Sequence, residues 1–119
     1  MLGDVSGISK VILVTGYTDM RKGLESLKNF IESKFNLDPY SRTLFLFCGR
    51  RCDRIKGLYH DRDGFVMLYM ILDGEGRFQW PRNGQEARTI SRQEYRWLLE
   101  GLSIDQKKVI KPSSGRKDG

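Results

Sequence analysis

Four cations, Arg50, Arg51, Arg54 and Lys56, fall within seven consecutive residues that hold a single acid, Asp53. The planar fork of arginine matches phosphate oxygens and base edges, so residues 49–56 (GRRCDRIK) have the chemistry to contact nucleic acid. A basic hairpin tip also guards a strand edge and aids solubility, and the residues fit that reading too. Arg21 and Lys22 form a second pair within residues 16–23 (GYTDMRKG), a turn that leads from a strand into a helix. Free N–H groups at a helix start can receive a phosphate, whereas the helix dipole disfavours cations there. Two cations in a first turn therefore suggest an anion or an acidic partner, beside the plainer reading of ordinary capping with solvated cations. The stretch is not a nucleotide-hydrolysing loop, because Arg21, Lys22 and Gly23 stand where that pattern needs Gly-Lys-Ser/Thr.

Other constellations offer less. His60, Asp61 and Asp63 could ligate a divalent ion, but adjacent strand and turn residues fan out to different faces, and Gly64 makes the stretch a good turn without metal. Cys48 and Cys52 lack the second ligand pair of a structural zinc site. The one histidine has no marked partner for a nucleophilic triad. The expectation is a binding protein, not an enzyme, with no metal and no cofactor. Trp80, Pro81, Arg82 and Trp97 are the residues that would suit a protein–protein contact, since Trp and Arg are favoured interface anchors.

The elements that must position these groups follow from apolar spacing. Residues 10–15 (KVILVT) read as a buried strand ending at Gly16. Thr18 or Asp19 can cap a helix running to about Phe35, with Met20, Leu24, Leu27, Ile31 and Phe35 on one face. Residues 44–48 (LFLFC) are apolar throughout and predict a central strand covered on both sides. Residues 54–60 and 65–72 predict two more strands joined by the hairpin turn 61–64, and residues 77–80 a short edge strand stopped by Pro81. Ser91 with Glu94 predicts a capping box, Ile90 and Tyr95 a hydrophobic staple, and Gly101 the residue that ends the second helix. Tyr95, Leu98, Leu99 and Leu102 should face the core. The result is an α+β fold, an antiparallel meander of about four to five strands packed against two main helices. It spans residues 1–104 as a single domain, followed by a basic, flexible tail over 105–119.

Composition agrees with that plan. A chain of 119 residues has room for one domain and one core. Twenty-one Lys+Arg against fifteen Asp+Glu give a net charge of +6, which favours polyanionic partners. The longest apolar runs are far short of a membrane span, and no signal peptide is visible at the N-terminus. Two cysteines make no disulfide framework, so a reduced, cytoplasmic chain is expected.

MLGDVSGI, GYTDMRKG, LFLFCGRRCDRIKGLYHDRDGFVMLY, GRFQWPR and YRWLLEGLS occur here in one order. In that order they resemble the TnpB accessory proteins, the second-open-reading-frame products of IS66-type bacterial insertion sequences. The likeness runs from about Met1 to Pro112; Cys52, His60 and the tail depart from it. It implies a protein encoded beside a larger transposase and supporting transposition, and it brings no known active site. Tyr17, Asp19, Arg21, Lys22, Gly49, Arg50, Arg51, Asp53, Arg54, Lys56, Trp80, Pro81 and Arg82 stand in the matching signatures. The leading expectation is a contact with DNA, or with a transposase–DNA complex, through Arg50, Arg51, Arg54 and Lys56, aided by Arg21 and Lys22. The alternative is docking on the transposase through Trp80, Pro81, Arg82 and Trp97 without touching DNA.

Overall fold

A computed structural model of the chain describes residues 7–101 and 103–104. Five strands and two helices follow one another as β1 (Lys10–Val14), α1 (Leu24–Phe35), β2 (Thr43–Cys48), β3 (Arg54–His60), β4 (Phe65–Ile71), β5 (Ala87–Ile90) and α2 (Arg92–Leu99). They form one sheet in the order β4-β3-β2-β1-β5. The α+β class holds, and three of the four strand pairings are antiparallel. β2, β3 and β4 make the expected meander, whereas β1 runs parallel to β2. Parallel neighbours need a crossover, and α1 supplies it.

The sheet is covered on both faces. On one, Leu27 and Ile31 of α1 lie fully buried against Ile12, Val14, Phe45, Phe47 and Leu58. On the other, Tyr95 and Leu98 of α2 join Val11, Leu13, Leu44, Leu46, Phe78 and Trp80. β2 is buried along its whole length, as its unbroken apolar run requires of a central strand. Each such aliphatic side chain contributes about 1.5–3 kcal/mol by leaving water.

Local chemistry explains where the elements stop. The capping box forms as expected: Glu94 N–H donates to Ser91 Oγ at 3.0 Å, and Ser91 N–H to Glu94 Oε1 at 2.8 Å. Ile90 and Tyr95 are both buried beside it, and Gly101 takes the left-handed φ of +80° just past the helix. Leu102 lies outside the described residues, as does the expected tail over 105–119.

Two expectations change. α1 begins at Leu24 rather than after Thr18 or Asp19, with Gly23 at its N-cap and no side-chain cap. The Asp19 carboxylate accepts from the backbone and guanidinium of Arg21, and Thr18 N–H donates to Cys48 C=O at 2.8 Å, so neither caps a helix. Met20 packs against Gly49, where a Cβ would come within 2.7 Å of its Cγ. Arg21 and Lys22 therefore belong to a loop, and the helix-dipole argument no longer applies to them. The fifth strand is β5 instead of residues 77–80. Phe78 N–H donates to Cys52 C=O and the Trp80 indole to Val14 C=O, which holds this stretch over the sheet rather than at its edge.

Candidate nucleic-acid interface

Topology gathers three loops at one end of the sheet. β1 and β2 are parallel, so both finish there, and the antiparallel β5 and β3 start there. Residues 15–23, 49–53 and 81–86 consequently become neighbours although they are far apart in the chain. Thr15 binds two of these loops together. Its hydroxyl donates to Gly84 C=O at 2.7 Å and accepts from Glu86 N–H at 3.0 Å, while Gly16 N–H donates to Pro81 C=O at 2.9 Å. Gly16 must be glycine here: its φ is +76°, and a Cβ would stand 2.6 Å from Gly84 O.

At this junction Tyr17 receives two guanidiniums. Arg50 from the β2–β3 turn lies 5.6 Å from the ring centroid, and Arg82 lies 5.8 Å from it. Arg82 also reaches the Tyr17 hydroxyl at 3.5 Å and Cys52 Sγ at 3.8 Å, and Gln85 donates to Tyr17 C=O at 2.7 Å. Tyr17 is 39% exposed, and a cleft of about 340 Å³ opens beside it, lined by Gly16, Tyr17, Arg82, Gly84 and Gln85. Cation–π contact orients the two arginines without neutralising them. Among the described residues, no carboxylate lies within 4 Å of Arg50, Arg51 or Arg82.

A second cation–aromatic group adjoins the first on the α1 face. Lys56 Nζ donates to Lys22 C=O at 2.9 Å and sits 5.3 Å from the Tyr69 ring, and Arg54 donates to the Tyr69 hydroxyl at 3.2 Å. Lys22 in turn lies 5.1 Å from Phe30. Arg50, Lys22 and Lys56 thus belong to one continuous region, linked through the 17–23 loop.

Two cations stand beside local acids, and the tighter pair discounts its cation. Arg21 makes a bidentate pair with Asp19, at 3.0 and 2.9 Å, and these hydrogen bonds hold the Asp19 carboxyl down to about 2. Arg54 stands 3.8 Å from Asp53. The remaining sequence-predicted residues divide. Trp80 and Pro81 are buried, with the indole N–H already bonded inside, so they are core residues and not surface anchors. Arg82 is exposed but belongs with the basic group, and Trp97 stands half-buried on α2 outside it.

Cys48 and Cys52 are free thiols, both buried, and burial pushes the Cys48 thiol above its ordinary value. The described residues hold no group of three or more His, Cys, Asp or Glu arranged for a metal ion. His60 is occupied by ring contacts with Tyr40 and Phe65, at 5.0 and 4.8 Å. Sequence reasoning missed Tyr17 and Tyr69 as organisers of the cations. For Tyr17 the signal available was an aromatic directly after Gly16, in the loop that follows β1.

Comparison with known proteins places a mostly antiparallel α+β chain with this basic loop end in a transposition-associated class. Residues 9–109 match the family described as IS66 Orf2 like protein, and the chain belongs to that family. Among its relatives, the uncharacterized protein y4jC of Sinorhizobium fredii is 29% identical over 116 residues, covering 95% of this chain and 97% of the relative. The uncharacterized protein y4hO of the same organism is 36% identical over 93 residues, covering 78% and 80%. No solved structure matches. No helix among the described residues is long and apolar enough to cross a membrane.

Proposed function

We propose that this chain is a non-catalytic accessory factor of IS66 transposition that contacts DNA, alone or in a transposase–DNA complex, through the loop end of its sheet. One observation carries the reading: Arg50 and Arg82 converge there on an accessible tyrosine without carboxylate partners, with Arg51 exposed in the same turn as Arg50. Such cations bind phosphates by releasing counterions, and a half-exposed ring adds a stacking surface. Arg54 and Lys56, steadied by Tyr69, extend the contact along the sheet face, and Lys22 links the two parts. Arg21 contributes least, because Asp19 already matches its charge. With Trp80 and Pro81 in the core, the docking alternative keeps only Arg82 and Trp97.

Retardation of duplex DNA from the element ends, measured against salt, tests the proposal. Log affinity falls steeply with log salt, and replacing Arg50 and Arg51 by alanine flattens the slope by about 1 per lost contact. A protein that retards no DNA even at low salt, yet co-purifies with the transposase, would overturn it in favour of docking.

A further inference from the structure

The two edges of the sheet are built differently. β5 is four residues long and carries Arg88 and Thr89. β4 is seven residues long, and from Phe65 through Leu72 the chain has neither charge nor proline. Natural sheets guard their edges with short strands, charges, prolines or bulges. β5 uses the first two devices and β4 uses none.

The hydrogen-bond register shows what β4 presents. Asp61 N–H donates to Gly64 C=O at 2.7 Å, and Leu72 N–H donates to Asp53 C=O at 2.8 Å. Between these ends the antiparallel register is unbroken, from His60 opposite Phe65 to Arg54 opposite Ile71. Antiparallel bonding alternates, so Val66, Leu68 and Met70 turn their backbone groups toward β3. Phe65, Met67, Tyr69 and Ile71 turn theirs toward the open edge, where no described strand pairs. Side chains of the same parity are apolar and accessible: Met67 is 37%, Tyr69 51% and Ile71 49% exposed.

We propose that β4 is a self-association edge at which a second copy of this chain pairs antiparallel, joining two five-stranded sheets into one of ten. Charge and length select the occupant. An uncharged apolar strand of seven residues is matched by a strand of the same kind, and the other open edge, β5, is shorter and carries Arg88. Pairing about a two-fold axis near Leu68 sets Met67 opposite Tyr69 of the second copy and Phe65 opposite Ile71. Those are apolar and aromatic pairs with no like charges between them. The same register sets Asp63 opposite Asp73 of the second copy, but beyond the paired strand residues and in exposed turns, where salt screens them. Such an axis runs normal to the sheet, so both α1 faces lie on one side. The closed two-fold contact also stops growth, whereas β4 on β5 would propagate.

Sedimentation equilibrium of the full chain, combined with residue-resolved amide exchange, tests this. The wild type sediments as a dimer, with the amides of Phe65, Met67, Tyr69 and Ile71 as protected as those of Val66, Leu68 and Met70. Met67→Pro is monomeric with an unchanged circular dichroism spectrum, because the lost N–H points away from β3. Met67→Lys, which keeps the N–H, is monomeric as well, and in both variants the outward amides exchange freely. A monomeric wild type would overturn the proposal. So would a dimer that persists in a folded variant, or a dimer whose outward β4 amides exchange freely.

Discussion

At the end of the sheet where β1 and β2 finish, Arg50 and Arg82 share the ring of Tyr17 and keep their charges. At the other end Lys28 also meets aromatic rings, 5.2 Å from Tyr40 and 4.8 Å from Phe65. There the cation is spent on packing. The Lys28 side chain is only 17% exposed, Glu25 lies 3.6 Å from it, and His60 stacks edge-on with both rings. The same pairing of cation and ring has two outcomes. Where an acid is close and the cation is covered, it fastens α1 to the sheet; where the acid is missing and the cation is exposed, it leaves an electropositive surface with fixed geometry. Arginine count alone does not separate these cases. The neighbours do.

Substitutions can break this contrast at either end. Trp80→Ala has the largest expected effect, a loss of about 3–5 kcal/mol in urea unfolding, because it empties a buried site and orphans Val14 C=O. It also unfastens the stretch that carries Arg82, so DNA affinity falls with it. Tyr17→Ala leaves the charges in place and removes the ring that orients them. Affinity then drops by roughly 1 kcal/mol while the salt slope stays as in the wild type, by filter binding at several ionic strengths. Tyr40→Ala at the opposite end costs about 1 kcal/mol of stability or less and leaves DNA affinity unchanged, which calorimetry with a binding assay would register. The smallest effect is protonic. Asp19 titrates near 2 while Arg21 holds it, and Arg21→Ala returns it toward the ordinary 3.8, as carboxyl NMR would follow. A carboxyl lowered in the folded state stabilises above its ordinary range, and that contribution is lost as pH falls toward 2.

Much of the fold was legible because local signals were strong. The unbroken apolar run of β2, the turn at 61–64 and the Ser91–Glu94 box each point to one structure, and each forms. What failed depended on partners distant in sequence. Asp19 looked like a cap until Arg21 competed for its carboxylate, and residues 77–80 looked like a strand until Val14 and Cys52 accepted their hydrogen bonds. β5 was hidden because ARTI is short and only half apolar, and it is defined by the side of β1 it borders. The site shows the same division. Its cations were visible as a cluster in 49–56, whereas the meeting of Tyr17, Arg50 and Arg82 required knowing that β1 and β2 run parallel.

The most direct test compares the two ends in one assay. DNA affinity is measured against salt for the wild type, for Arg50→Ala with Arg82→Ala, and for Arg42→Ala with Arg62→Ala at the far end. The first pair should flatten the salt slope by about 2, close to 1 per lost phosphate contact, and the second should keep the wild-type slope. Equal losses from both pairs, or an unchanged slope in the first, would contradict a DNA contact at the loop end.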